Sequence, residues 1–169
     1  MREDEVYLST KKWLVSRGFE LLGGQPPRGT DRHPVIEIKS NSNRGKGSEH
    51  AFKPDLIAGR KDMLVILECK PQFDSTDLIK LREVIANRTR KVNLIVELDQ
   101  RRIFTRHRLQ QLRLSLDAGN PIQTCMSYGE PLVAINNVYA LVHTSLQVEP
   151  DLYLGAEKMT DFPKLELEQ

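Results

Sequence analysis

Long apolar runs are absent from this sequence of 169 residues. A membrane-spanning helix needs roughly 18 or more consecutive apolar residues, and no stretch approaches that length. The first residues, MREDEVYLSTKKWL, are charged and lack the apolar segment of a signal peptide. We therefore expect a cytoplasmic protein that has no membrane partner.

Cysteine is also scarce, since Cys69 and Cys125 are the only two. They lie far apart in the sequence, so they do not indicate a framework of several disulfides. Neither the cysteines nor the four scattered histidines show the spacing of metal ligands. A thiol-reducing compartment is the expected setting, and we expect no small-molecule cofactor.

The sequence is rich in charge, with 28% charged residues beside 39% hydrophobic residues. These values predict one globular domain that is long enough to bury a substantial core. Residues 80–113 hold ten basic and three acidic side chains, whereas residues 149–169 hold six acidic and two basic ones. The cationic segment suits a polyanionic partner, and the alternative is a basic surface that is merely solvated.

Apolar spacing and turn residues predict the order helix, strand, strand, strand, helix, strand, helix and further strand. The predicted helices are 3–19, 74–88 and 103–117, and the predicted strands are 35–39, 51–58, 63–70 and 92–99, with one or two more within 124–147. This order predicts an α/β fold in which helices flank a central mixed β-sheet. The predicted domain covers residues 1–149, with its core in 3–99, and residues 150–169 are expected to form a loosely attached acidic tail.

The segment KPDLIAGRKDMLVILECKPQ, residues 53–72, places charges at the end of an apolar strand. Side chains alternate faces along a strand, so Glu68 and Lys70 share one face while Cys69 points into the core on the other. Gln72 has the same parity as Glu68 and Lys70, and it is an auxiliary candidate for orienting substrate or water. The alternative is an ordinary Glu/Lys alternation on a half-exposed strand.

The turn GRKD is expected to join this strand to the preceding one as a hairpin. Gly59 then pairs with Leu64, and counting along the ladder sets Asp55 opposite Glu68. Directly opposed like charges destabilise a sheet and raise the pKa of one partner. A divalent cation bound between the two carboxylates resolves that conflict.

Asp55, Glu68 and the backbone carbonyl of Cys69 form a set of hard oxygen ligands that suits Mg²⁺, with Mn²⁺ as a substitute. Lys70 beside the metal can orient or deprotonate a water and stabilise the charge that builds on a phosphate. This combination predicts phosphodiester hydrolysis. In the alternative interpretation, Asp55 merely caps a turn.

Pro54-Asp55, thirteen positions before the ECK triplet that begins at Glu68, resembles the PD-(D/E)xK motif of the restriction-endonuclease-like nucleases. The resemblance covers roughly residues 3–99 and implies a restriction-endonuclease-like core. It also implies that Asp55 and Glu68 bind Mg²⁺ and that Lys70 assists the attacking water.

Many members of that superfamily add a glutamate from the first helix. Glu5, thirteen residues before Gly18-Phe19, resembles the E…GF arrangement of archaeal Holliday-junction resolvases. On that resemblance we assign Glu5 to the catalytic site. Glu3 is an equally acceptable choice by spacing.

A second E-x-K triplet runs from Glu37 to Lys39 on the preceding predicted strand. Its nearest upstream acid is Asp31, six residues before Glu37 in a proline-flanked loop that cannot easily form the facing strand. We therefore assign the catalytic triplet to Glu68 and Lys70, and keep Glu37 and Lys39 as the alternative.

The resemblance implies a Mg²⁺-dependent DNA endonuclease, most often of the restriction type, that leaves 5′-phosphate and 3′-hydroxyl ends. A homodimer is expected because cutting two strands with one active site per chain usually requires a symmetric pair. The alternatives are a Holliday-junction resolvase, another repair or mobile-element nuclease, or a catalytically silent nuclease-fold module or subunit that binds nucleic acid. The candidate DNA-binding residues are Arg44, Lys46, Lys53, Lys61, Arg101, Arg102, Arg106 and Arg108.

Overall fold

A computed structural model describes residues 1–27, 33–39, 51–61, 63–103, 105, 110–114 and 122–163. Four of the predicted DNA-binding residues lie outside the described residues, namely Arg44, Lys46, Arg106 and Arg108. Much of the helix predicted at 103–117 also lies outside them, although residues 110–114 are helical.

The described residues form seven strands and, besides the helical turn at 110–114, three helices. The helices are α1 (Glu3–Ser16), α2 (Ser75–Ala86) and α3 (Arg88–Gln100). The strands are β1 (Glu20–Gly23), β2 (Leu56–Arg60), β3 (Met63–Lys70), β4 (Ile122–Gly129), β5 (Tyr139–His143), β6 (Asp151–Leu154) and β7 (Glu157–Met159). None of the described helices is both long and apolar enough to cross a membrane.

All seven strands belong to one mixed sheet, in which the strand order follows the chain from β1 to β7. The β3–β4 and β4–β5 pairs are parallel, and the other four pairs are antiparallel. Helix α1 packs on one face of the sheet, and α2 and α3 pack on the other. The predicted α/β fold with a mixed sheet flanked by helices is therefore confirmed.

β3 is an interior strand, and seven of its eight residues are buried. Leu67 and Cys69 pack on the α1 face, whereas Ile66 packs on the α2 face. The same alternation directs Glu68 and Lys70 to the α2 face, so they lie together on the face opposite Cys69, as predicted. Each fully buried aliphatic side chain contributes about 1.5–3 kcal/mol, so the apolar part of the strand anchors its charged end.

Residues 92–99, predicted as an interior strand, belong to helix α3 instead. Leu94 and Leu98 are buried one helical turn apart, while Val92 is exposed, a pattern that fits an amphipathic helix. The side chain of Asn87 caps the helix by accepting a hydrogen bond from a backbone N–H of the first turn. The neighbour of β3 in the sheet is therefore β4, which comes later in the chain.

The segment 35–39 makes a single β-bridge among the described residues, between Ile38 and Phe52, in place of the predicted strand. Ile36 and Ile38 are buried on the α2 face, so the segment covers the core without joining the sheet. Strand β2 begins at Leu56, later than predicted, since Phe52 pairs with Ile38.

Residues 151–163, expected to be part of a loosely attached tail, are packed against the domain. β6 pairs with β5, and β7 pairs with β6 at the edge of the sheet. Phe162 is buried, and its ring makes edge-on contacts with the rings of Trp13, Phe19 and Tyr139. Burial of this aromatic ring outweighs the acidic composition, so the predicted loose attachment is wrong for this part of the chain.

Candidate functional site

The β2–β3 hairpin brings Asp55 and Glu68 together where β2 begins and β3 ends. Its register includes the predicted pair Gly59–Leu64 and runs without a break to the residues next to Asp55 and Glu68. The two carboxyl groups share a hydrogen bond. Glu68 is only 4% exposed, and Asp55 is half-buried. The register stops one residue short of the predicted pair, and the hydrogen bond between the carboxyl groups is what places the two acids side by side.

This carboxyl pair holds a proton near neutral pH. Burial, and after it the charge of Asp55, raises the pKa of Glu68 to about 10. Burial also raises the pKa of Asp55, although the Cys69 N–H opposes this by donating a hydrogen bond to Asp55 Oδ2 at 2.8 Å. Two buried carboxyl groups in contact are neutralised either by a shared proton or by a bound cation.

Cys69 contributes its backbone to the site and its side chain to the core. The N–H and C=O of a strand residue point to the same side, so the Cys69 carbonyl faces the side on which Asp55 lies. The thiol is buried on the α1 face, and burial raises its pKa well above the usual range. Cys69 therefore packs as a small core residue, as predicted.

Lys70 ends β3 with its ammonium group between two acidic side chains. Its Nζ lies 3.0 Å from Glu3 Oε1 and 3.5 Å from Asp77 Oδ2. Burial opposes the charged form, but the hydrogen bond to Glu3 and the charge of Asp77 outweigh it and raise the pKa of Lys70. Lys70 is therefore a firmly held cation at neutral pH.

The first helix contributes Glu3 to this cluster, whereas Glu5 has a different partner. Glu5 Oε2 accepts a hydrogen bond from the backbone N–H of Arg2 at 2.7 Å, which is half of a capping box. Two residues correspond to about 200° around a helix, so Glu3 and Glu5 face different ways. Of the two glutamates that the spacing allows, Glu3 is the one in contact with Lys70.

Two carboxyl groups and one backbone carbonyl are thus the oxygen-bearing groups that the hairpin brings together. In the part of the chain that the structure describes, no group of three or more His, Cys, Asp or Glu side chains is arranged to hold a metal ion. No protein-family model, curated protein or solved structure matches this chain. The chemistry of the site is therefore interpreted from its own residues.

Asp77 is a buried acid beside the site that sequence spacing does not single out. It is 4% exposed, and its Oδ1 accepts a hydrogen bond from Lys80 Nζ at 2.8 Å. Asp74 caps helix α2 and fixes Asp77 in the first turn, where the helix dipole stabilises a carboxylate. The local signal for this position is the capping sequence DSTD, in which the second acid follows the first by three residues.

A second polar cluster lies in the core on the α1 face. Thr10, Ser127 and His143 are each 3% exposed or less. Ser127 Oγ lies 2.7 Å from His143 Nε2 and 2.5 Å from Thr10 Oγ1. Burial lowers the pKa of His143 to about 4, so its ring is neutral. Because the cluster is buried, it ties α1 to β4 and β5, and sequence separations of more than a hundred residues leave no local signal for it.

The alternative E-x-K triplet has other contacts. Glu37 Oε1 forms an ion pair with Lys53 Nζ at 3.5 Å, and the backbone carbonyl of Lys39 accepts a hydrogen bond from the Asn93 side chain. Glu37 is thus paired with one of the predicted DNA-binding lysines. Gln72, the auxiliary candidate, is exposed in the bend after β3.

The described basic candidates lie at exposed positions. Lys61 is in the hairpin turn with a φ of 53°, and Arg102 follows α3 with a φ of 54°. Arg101 Nε donates a hydrogen bond to Glu97 Oε1 at 2.8 Å, one helical turn earlier. The contact of Arg101 with Glu97 does not involve Asp55 or Glu68. The role of these basic side chains therefore depends on which molecule binds to the surface on which they lie.

Proposed function

We propose that this chain is a divalent-metal-dependent DNA endonuclease that hydrolyses phosphodiester bonds. The observation that carries the proposal is the pairing of Asp55 with Glu68, beside Lys70, at one end of the β2–β3 hairpin. A restriction-type enzyme is the leading form of this proposal. A junction resolvase, or another repair or mobile-element nuclease, is the alternative form.

The donor set of the hairpin fits Mg²⁺. Asp55, Glu68 and the Cys69 carbonyl would hold the ion, which would supply a Lewis acid for attack on the phosphodiester. The raised pKa of Glu68 supports this assignment, because a divalent cation would replace the proton that neutralises the pair. Mn²⁺ would substitute because it accepts the same oxygen ligands.

Lys70 supplies a positive charge beside the carboxyl pair. Its ammonium group stabilises the negative charge that develops on the phosphate and orients a water through its N–H donors. Because its pKa is raised, Lys70 acts in this role as a cation rather than as a base. Glu3 fixes the direction of the ammonium group through the hydrogen bond of 3.0 Å.

The basic side chains are proposed to bind the DNA backbone. Lys53, Lys61, Arg101 and Arg102 are exposed, and four further candidates lie outside the described residues. Contacts of this kind release counterions, so the affinity for DNA should fall steeply with salt. Cleavage of both strands would require a homodimer, with one site from each copy.

The proposal is tested with supercoiled plasmid, linear duplex and a four-way junction, each incubated in Mg²⁺ and in EDTA. Asp55→Asn, Glu68→Gln and Lys70→Ala are each expected to slow Mg²⁺-dependent cleavage by about a hundredfold or more. Glu37→Gln and Lys39→Ala are matched controls, since they change the other E-x-K triplet. Discrete fragments would indicate sequence specificity, and cleavage of the junction alone would indicate a resolvase.

A DNA-binding module or subunit that does not cut is the second candidate function. The observation that favours it is the engagement of Lys70 by both Glu3 and Asp77, which already neutralise its charge. Wild-type protein that cleaves none of the substrates in Mg²⁺ or Mn²⁺, yet binds them, would replace the first candidate with this one. Loss of cleavage in Lys39→Ala with full cleavage in Lys70→Ala would move the site to the other triplet.

A further inference from the structure

Asp77 binds two lysines at once. Its Oδ1 accepts a hydrogen bond from Lys80 Nζ at 2.8 Å, and its Oδ2 lies 3.5 Å from Lys70 Nζ. Lys70 continues the chain of opposite charges to Glu3 at 3.0 Å. Four alternating charges thus link the start of α1, the end of β3 and the first turn of α2.

The two lysines on Asp77 differ in exposure. The Lys70 side chain is 28% exposed, whereas that of Lys80 is 48% exposed, and the Asp77 side chain between them is 6% exposed. A free lysine side chain loses about 2 kcal/mol of rotamer entropy when it is fixed. Because a buried acid already holds the Lys80 ammonium, part of that cost is met before any ligand binds.

Lys80 is a cation that still has hydrogen-bond donors to offer. The hydrogen bond to Asp77 is the main cause that raises the pKa of Lys80. An ammonium group has three donors, and Asp77 Oδ1 accepts one of them. Donors therefore remain for an anion that approaches the exposed side of Lys80.

We infer that Lys80 binds a phosphate of the DNA backbone next to the phosphate that is cut, and that Asp77 is the positioning residue that holds it there. This inference rests on the proposed nuclease function. Lys70 and Lys80, fixed on one carboxylate, would contact neighbouring positions of the same strand. The site that recognises the substrate is thereby extended from the hairpin onto helix α2.

The test measures binding of a labelled DNA duplex in EDTA, where cleavage is blocked, over a series of salt concentrations. Lys80→Ala should weaken binding about fivefold and reduce the slope of log K against log salt by about 0.9, the value for one lost phosphate contact. Lys80→Arg should restore the slope. Lys158→Ala is the matched control, because Lys158 also forms an exposed ion pair, with Asp151 at 3.0 Å, but on the far edge of the sheet.

The role of Asp77 is tested by combining the two substitutions. In the Asp77→Asn background, Lys80→Ala should weaken binding less than twofold, because Lys80 is no longer held in place. An equal loss from Lys80→Ala in both backgrounds would show that Asp77 does not position Lys80. A melting temperature of Asp77→Asn close to that of wild type would show that the smaller effect of Lys80→Ala does not come from a general loss of structure.

Failure of this inference is distinguishable from failure of the proposed function. If wild type binds and cleaves DNA while Lys80→Ala leaves both affinity and salt slope unchanged, Lys80 is not a phosphate ligand but the nuclease proposal stands. If wild type binds no DNA, both the inference about Lys80 and the proposed nuclease function are wrong.

Discussion

Gly24 lies directly against the backbone of Asp55, so closely that an added Cβ would collide with the Asp55 carbonyl. Gly24 also has a φ of 145°, which an L side chain rarely adopts. The next residue, Gln25, donates a backbone hydrogen bond to the Pro54 carbonyl at 2.9 Å. The loop after β1 therefore fixes the backbone position of one of the two paired acids.

Gly24→Ala is expected to displace Asp55 and to abolish most cleavage. Overpacking should cost about 1–3 kcal/mol in the free energy of unfolding, in addition to about 1 kcal/mol for the strained φ. Gly155→Ala is the matched control, because Gly155 has a φ of 61° but nothing within 4 Å of its added Cβ. Chemical denaturation and cleavage assays check the prediction, and equal effects of the two substitutions would contradict it.

Glu68→Gln should change how stability depends on pH. The folded-state pKa of Glu68, about 10, lies above the ordinary value of 4.5, so the folded protein keeps a proton that the unfolded chain loses. The stabilisation is complete below about pH 4.5 and is lost as pH rises toward 10, by up to about 1 kcal/mol per pH unit. Urea unfolding in EDTA should show this decline for wild type and a much flatter profile for Glu68→Gln.

Addition of Mg²⁺ should stabilise wild type most at alkaline pH, where the proton on the carboxyl pair is easiest to replace. Binding to the folded state alone raises the free energy of unfolding by about 3 kcal/mol at a hundredfold excess over Kd. Thermal unfolding with and without Mg²⁺ measures this effect without any need for cleavage. An equal shift in wild type and in Asp55→Asn would show that the ion binds elsewhere.

His143 should produce the opposite dependence on pH in the acidic range. Its folded-state pKa of about 4 lies below the ordinary 6.5, so the unfolded chain takes up a proton first. The stabilisation is complete above about pH 6.5 and is lost toward pH 4, by about 1 kcal/mol per pH unit. In Glu68→Gln the free energy of unfolding should therefore rise from pH 4 to 6.5. In wild type the contributions of Glu68 and His143 to the pH dependence have opposite signs in this range and partly cancel.

Glu3→Gln and Glu5→Gln should distinguish a glutamate that acts in the site from one that caps helix α1. Glu3→Gln removes the charge that holds Lys70, so cleavage should slow while the melting temperature changes little. Glu5→Gln weakens the hydrogen bond to the Arg2 N–H and should cost about 0.5–1 kcal/mol with cleavage retained. Slower cleavage from Glu5→Gln alone would restore Glu5 as the residue from the first helix.

Ser127→Ala should destabilise the protein by about 1 kcal/mol, because it removes the hydroxyl that bonds both Thr10 and His143 and leaves these two only their direct contact at 3.1 Å and the bond from Thr10 to the Val6 carbonyl. Thr124→Val is the matched control on the same strand. The Thr124 hydroxyl is buried without a hydrogen-bond partner among the described residues, so its removal should be neutral or stabilising. Equal losses from the two substitutions, measured by urea unfolding, would contradict this account of the cluster.

The hairpin was predictable from sequence because its determinants are local. Alternation along β3 and the turn that follows Gly59 are enough to oppose Asp55 and Glu68. The prediction for residues 92–99 is wrong because a short apolar run is ambiguous between a strand and a helix. The hydrogen bond that the Asn87 side chain accepts at the start of α3 favours the helix. Hydrophobic patterns alone do not reveal such a cap.

The contacts of Lys70 were less predictable, because they depend on how two helices sit on the sheet. Glu3 reaches Lys70 from α1, and Asp77 reaches it from α2 on the opposite face. Spacing within the sequence limits the first choice to Glu3 or Glu5, and only the placement of α1 separates them. Asp77 becomes a candidate only when its burial beside Lys70 is known.

Phe162 has a consequence for the order in which the protein is completed during synthesis. Its ring packs against Trp13 of α1 and against Phe19 and Tyr139, so it joins residues made early to residues made late. A nascent chain that has emerged from the ribosome only as far as Lys70 contains the hairpin and both of its acids. The apolar surface against which α1 packs is complete only after Phe162 emerges. We therefore expect α1, which carries Glu3, to be the last element around the site to take up its final position.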